Sequence, residues 1–155
     1  MTARELNEDF RDLLLAFADE NVEFLVVGAH AIGFHGLPRA TRDLYVFVRP
    51  SLENSRRVYG ALAKFGAPLE SARIETADFA APGCVYQIGL PPRRIDVLTE
   101  LTGVSFDEAL EGRGTLILDG RRIHYIGREA LIQNKEALGR PQDLADVARL
   151  RSQKQ

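Results

Sequence analysis

Glu23-Phe24-Leu25-Val26-Val27-Gly28-Ala29-His30-Ala31 and Asp43-Leu44-Tyr45-Val46-Phe47-Val48-Arg49, with thirteen residues between Ala29 and Asp43, decide how this chain folds. The run 23–27 is apolar without alternation, which marks a short strand buried on both faces. It stops at Gly28, and 29–35 has room for two helical turns before Gly36, so the stretch reads strand, tight turn, helix. The run 43–49 alternates: Leu44, Val46 and Val48 share one side, Asp43, Tyr45 and Phe47 the other. Pro50 ends it, and Ser51 is a good N-cap for a helix carrying Leu52, Val58, Leu62 and Phe65, closed by Gly66.

Upstream, Leu6, Phe10, Leu13, Leu14 and Phe17 form one stripe of an amphipathic helix over 4–20. Downstream, 67–82 is rich in loop residues, and 84–90 and 94–101 read as strands joined through Pro91-Pro92. Ser105 and Glu108 are spaced as a capping box. Asp119-Gly120 between Leu116-Ile117-Leu118 and Ile123-His124-Tyr125-Ile126 is a hairpin signal. Residues 128–138 and 142–151 are helical, split at Gly139-Arg140-Pro141. The expectation is an α/β (α+β) chain: a small mixed, mostly antiparallel sheet with helices packed on one face and a helical C-terminus. One domain is expected over 1–155, with an N-terminal helix in 1–22, a sheet core in 23–101 and C-terminal helices in 127–152.

Composition agrees. The 155 residues are 45% hydrophobic and 27% charged, ordinary for a globular chain and unlike a disordered or collagen-like one. A chain of this length buries roughly two-thirds of its unfolded surface and needs no disulfide or metal to fold. Cys84 is the single cysteine, which excludes an internal disulfide and a four-thiolate zinc site. No apolar run approaches the roughly 18 residues of a membrane span, and Met1 to Asp9 is polar and acidic, so a cytoplasmic protein is expected. The net charge of −2 argues against a surface that grips nucleic acid everywhere. Of 20 basic residues only Lys64, Lys135 and Lys154 are lysines; arginine suits bidentate contact with phosphate or carboxylate.

Two features suggest chemistry. At Gly28-Ala29 a strand without a blocking side chain meets a helix start, where backbone can approach a ligand and free amides favour phosphate. Asp43 lies on a strand whose opposite face is apolar, and Asp96, between Ile95 and Val97, has the same character. Two carboxylates on neighbouring strands beside such a turn are what Mg²⁺ bound to a triphosphate needs.

Together, Gly28-Ala29, the thirteen-residue gap, Asp43-Leu44-Tyr45 and the later strand acid Asp96 resemble the nucleotidyltransferase superfamily related to DNA polymerase beta. Residues 24–31, with Pro38-Arg39-Ala40-Thr41-Arg42-Asp43-Leu44, are especially similar to its small bacterial branch, which includes toxin-like members of abortive-infection systems. Leu131 to Lys135, Arg140 and Asp143-Leu144-Ala145-Asp146 are similar to the same branch, and the likeness spans 23–150. It implies transfer of a nucleoside monophosphate from an NTP to a hydroxyl or phosphate acceptor, tRNA or protein among them, and a cognate antitoxin as partner. It implies that Gly28 and Ala29 hold the β- and γ-phosphates, that Asp43, position 45 and Asp96 serve metal and acceptor, and that Lys135 reaches the triphosphate.

The chain departs from that pattern mildly at Ala29 and seriously at Tyr45, where the family carries a second metal-binding Asp. A phenol with a pKa near 10 is neutral at about pH 7 and offers one weak oxygen. Three outcomes stay open: nucleotide binding without turnover, a single-metal site, or recruitment of another acid such as Glu100 or Asp78. Two readings follow, a Mg²⁺-dependent nucleotidyltransferase and a catalytically degenerate member that binds nucleotide or protein. His30 and His35, five apart, miss the helical spacing of a metal pair. Cys84 has no activating base in view. Arg39, Arg42, Arg93 and Arg94 flank the two acids and serve either an acceptor's phosphates or the acids themselves.

Overall fold

A computed structural model describes residues 6–37, 39 and 42–153. The expected helix start at 4–5 and the turn at Pro38 lie outside them. In chain order the elements are α1 (Glu8–Asp19), β1 (Phe24–Val27), α2 (Ala29–Phe34), β2 (Leu44–Val48), α3 (Leu52–Phe65), β3 (Val85–Ile88), β4 (Ile95–Leu98), α4 (Phe106–Leu110), β5 (Gly114–Leu118), β6 (Arg121–Tyr125), α5 (Arg128–Leu138) and α6 (Pro141–Ser152).

The strands form one mixed sheet in the order β3-β4-β2-β1-β6-β5. β1–β2, β3–β4 and β5–β6 are antiparallel; β1–β6 and β2–β4 are parallel. The strands that carry Asp43 and Asp96, expected to be neighbours, are so, and β1 lies on the other side of β2. Pairing Phe24 with Val48 and Val26 with Val46 puts these four side chains on one face. There α1 covers them, with Phe17 meeting Phe24 edge-on at 5.4 Å, and α3 lies against α1. Leu25, Val27, Tyr45 and Phe47 point to the other face, where Phe47 meets Phe106 of α4 at 5.2 Å. Apolar cover on both faces explains why β1 does not alternate.

Sequence signals act where expected. Asn7 and Ser51 cap α1 and α3, and Ser105 with Glu108 closes a capping box. Asp119 and Gly120 both have positive φ, as a two-residue hairpin turn requires. α6 begins one residue earlier than expected because Pro141, already short of an N–H, suits the first helical position. β3 and β4 are shorter than expected at both ends. Asn54 is fully buried: its Oδ1 accepts from the Glu23 N–H at 2.8 Å, and its Nδ2 donates to the Glu23 and Arg49 carbonyls, both at 3.0 Å. That amide ties α3 to the start of β1 and the end of β2.

Candidate functional site

The turn after β1 is built on Gly28, with φ +72° and ψ −151°, a region essentially confined to glycine. Val27 pairs with Tyr45 across the β1–β2 ladder, which brings the Tyr45 ring over the turn. A Cβ on Gly28 would lie 2.6 Å from Tyr45 Cδ2. Backbone and tyrosine both require glycine here. The Gly28 carbonyl accepts from the Ala31 and Ile32 N–H groups at 3.0 and 3.1 Å, which closes the first turn of α2.

Asp43 and Asp96 stand on the same sheet face. Tyr45 is opposite Asp96 in the β2–β4 register, and Asp43 is two residues before Tyr45. Their shared neighbour is Arg94. The Arg94 backbone N–H donates to Asp43 Oδ1 at 2.9 Å, and its Nη2 lies 3.6 Å from Asp43 Oδ2. Arg94 Nε donates to Asp96 Oδ1 at 2.6 Å and Nη2 to Asp96 Oδ2 at 3.4 Å. From β3, Gln87 Nε2 donates to Asp96 Oδ2 at 3.1 Å. The hydrogen bond to Asp96 leads the causes that raise the Arg94 pKa above its ordinary value.

Mg²⁺ demands near-octahedral oxygen ligation. Here all four carboxylate oxygens face nitrogen donors, and Tyr45 is a neutral phenol. Among the described residues no group of three His, Cys, Asp or Glu side chains could hold a metal ion. The donor set as folded does not fit a two-metal centre. Asp78 does not complete it, for its Oδ2 accepts from the Glu75 N–H at 2.8 Å within the 67–82 loop. Glu100 is exposed on the rim of the neighbouring cavity.

That cavity has a volume of about 360 Å³, in the range of small-ligand sites. Gly28, Ala29 and Tyr45 form one wall, Lys135 and Arg140 another, and Leu98 and Leu131 add apolar surface. Asp43 and Asp96 are outside its lining. Lys135 is buried, its Nζ 3.3 Å from Asp143 Oδ1 and 2.9 Å from Asp146 Oδ2. Arg140 Nε donates to Asp143 Oδ2 at 2.6 Å, and Arg39 Nη2 pairs with Asp146 Oδ1 at 2.5 Å. The hydrogen bond from Arg140 leads the causes that hold the Asp143 carboxyl below its ordinary value. Lys135 thus serves an ion cluster joining α5 to α6.

The structure brings Gly28, Ala29, Tyr45 and Lys135 around one cavity and sets Asp43 and Asp96 beside it. Sequence reasoning did not find the Lys135 partners, eight and eleven positions away across the Gly139 turn. Arg94 was one of four arginines without a fixed role; its spacing of two from Asp96 on a strand was the available signal.

No family model and no curated protein matches the chain. Among solved structures, one from Thermotoga maritima, provisionally assigned as a nucleotidyltransferase, superposes with a TM-score of 0.58 at 11% identity, over 93% of this chain and 91% of that one. Likeness at that identity concerns the fold: the six-stranded mixed sheet and its helices are arranged as in that structure.

Proposed function

We propose that this chain is a nucleotide-binding member of the nucleotidyltransferase fold that does not carry out metal-dependent transfer. The observation supporting this is the pairing of a cavity rimmed by the Gly28-Ala29 turn, Lys135 and Arg140 with acids already occupied by Arg94. In this reading the Gly28-Ala29 backbone and the Arg140 guanidinium, both in the cavity lining, contact the phosphates. Leu98 and Leu131 contact the base, and Tyr45 fills the position beside Asp96. Lys135 holds α5 and α6 at the spacing the cavity needs. Mg²⁺-dependent transfer is the competing reading, favoured by the placement of Asp43 and Asp96 on one face.

The test is calorimetric titration with ATP, GTP, CTP and UTP, alongside radiolabel transfer from each to bulk tRNA and to protein. Binding of at least one nucleotide, weakened by Arg140→Ala and without label transfer, is expected. Absence of binding by all four overturns the nucleotide reading. Label transfer lost in Asp43→Asn overturns the non-catalytic one.

A further inference from the structure

We infer that Arg94 is a built-in counter-ion occupying the role of a divalent cation between Asp43 and Asp96, so that this protein takes its nucleotide as the metal-free anion. The nucleotide part rests on the reading proposed above; the counter-ion part does not.

Three independent placements converge on it. First, the main chain of residue 94 is fixed. Its N–H donates to Asp43 Oδ1 at 2.9 Å, and its carbonyl accepts from the Leu44 N–H at 2.9 Å. One Asp43 oxygen is thus engaged by a main-chain amide that no rotation of the Arg94 side chain withdraws. Second, the Arg94 side chain spans both acids, with Nε 2.6 Å from Asp96 and Nη2 3.6 Å from Asp43. Third, β3 supplies Gln87 Nε2 to Asp96 Oδ2 at 3.1 Å, so that Asp96, which is 3% exposed, has donors on both oxygens.

The chemistry follows from these contacts. A guanidinium stays protonated at any pH the protein survives, and its planar fork matches carboxylates. A divalent cation entering between Asp43 and Asp96 must displace that charge or sit against it, and like charges at contact distance repel. The ring of Tyr45, in register with Asp96, offers no charge to offset that repulsion. Asp43, Asp96 and Arg94 sum to one negative charge, a weak attractor for Mg²⁺ compared with two open carboxylates.

The experiment uses Mn²⁺ as a paramagnetic probe, read by electron paramagnetic resonance of the full chain, and ATP titrations with EDTA or with Mg²⁺. The natural protein is expected to leave the free Mn²⁺ signal unchanged. Arg94→Gln combined with Tyr45→Asp is expected to bind Mn²⁺ at least about tenfold more tightly, a factor equivalent to about 1.4 kcal/mol. Bound ATP is expected to be the same with EDTA as with Mg²⁺, within about twofold on the same scale.

Mn²⁺ binding by the natural protein that is lost in Asp96→Asn overturns the inference, as does ATP binding that requires Mg²⁺. A folded double variant with no gain in Mn²⁺ affinity also overturns it, because the acids would then not be masked by Arg94. If the double variant does not fold, the Mn²⁺ titration of the natural protein decides alone. Failure of ATP to bind under either condition removes the nucleotide reading and leaves the Mn²⁺ result to judge Arg94.

Discussion

Replacing Gly28 by alanine probes the turn and the tyrosine above it in one step. Two costs are separable. A non-glycine residue at φ +72°, ψ −151° carries about 1–3 kcal/mol of backbone strain. The new methyl would also stand 2.6 Å from Tyr45 Cδ2, and forcing the ring aside costs about 1–3 kcal/mol as overpacking does elsewhere. Gly28→Ala is therefore expected to lose about 4 kcal/mol, a large share of the roughly 5–15 kcal/mol that holds a domain together. At about 2–4 °C per kcal/mol for a chain of this size, the melting point should fall by roughly 8–16 °C. Urea denaturation of Gly28→Ala, Tyr45→Ala and the double variant separates the costs. In the Tyr45→Ala background the contact cost vanishes and the strain remains, giving a coupling of about 1–3 kcal/mol. A Gly28→Ala loss below about 1 kcal/mol, or purely additive variants, would refute this account of the turn.

Lys135→Met removes the ammonium shared by Asp143 and Asp146 while Arg140 and Arg39 still pair with them, and is expected to cost about 1.5–3 kcal/mol in urea denaturation; a loss under about 1 kcal/mol would return Lys135 to the role of a free cationic arm. Burial pushes the His30 imidazole below its ordinary 6.5, against the opposing hydrogen bond from its Nε2 to the Arg42 carbonyl. As pH drops below 6.5, the unfolded chain takes a proton that the folded state refuses, so stability is full above that value and declines beneath it. His124 is also lowered, first by burial and then by Arg113, so the measurement compares slopes: His30→Gln should flatten the loss of stability between about pH 7 and pH 5, and identical slopes would show that His30 does not contribute.

Local signals were legible because they act over a few bonds. The unbroken apolar run at 24–27, the caps at Ser51 and Ser105 and the Asp119-Gly120 turn all follow from periodicity and turn chemistry. Alternation along β2 also placed Asp43 and Tyr45 on one face, and the register with β4 set Asp96 there too. Phe47, on that same alternate face, is buried against α4, which period-two reasoning alone does not disclose.

The sequence by itself determined which residues could meet: a glycine turn, two strand acids, a tyrosine between them and a lysine on a late helix. Tertiary structure decided what each is bound to. Arg94 lies 51 positions from Asp43 in the chain, and Arg39 lies 107 from Asp146; no local pattern announces such pairs. Side-chain charge is a property of the residue, but whether a carboxylate is free for a ligand depends on which donors the fold places within about 3 Å of its oxygens. Here the fold gives those oxygens to Arg94 and Gln87. That assignment turns a pair of candidate metal ligands into an ion-paired clasp with one net negative charge beside a cavity.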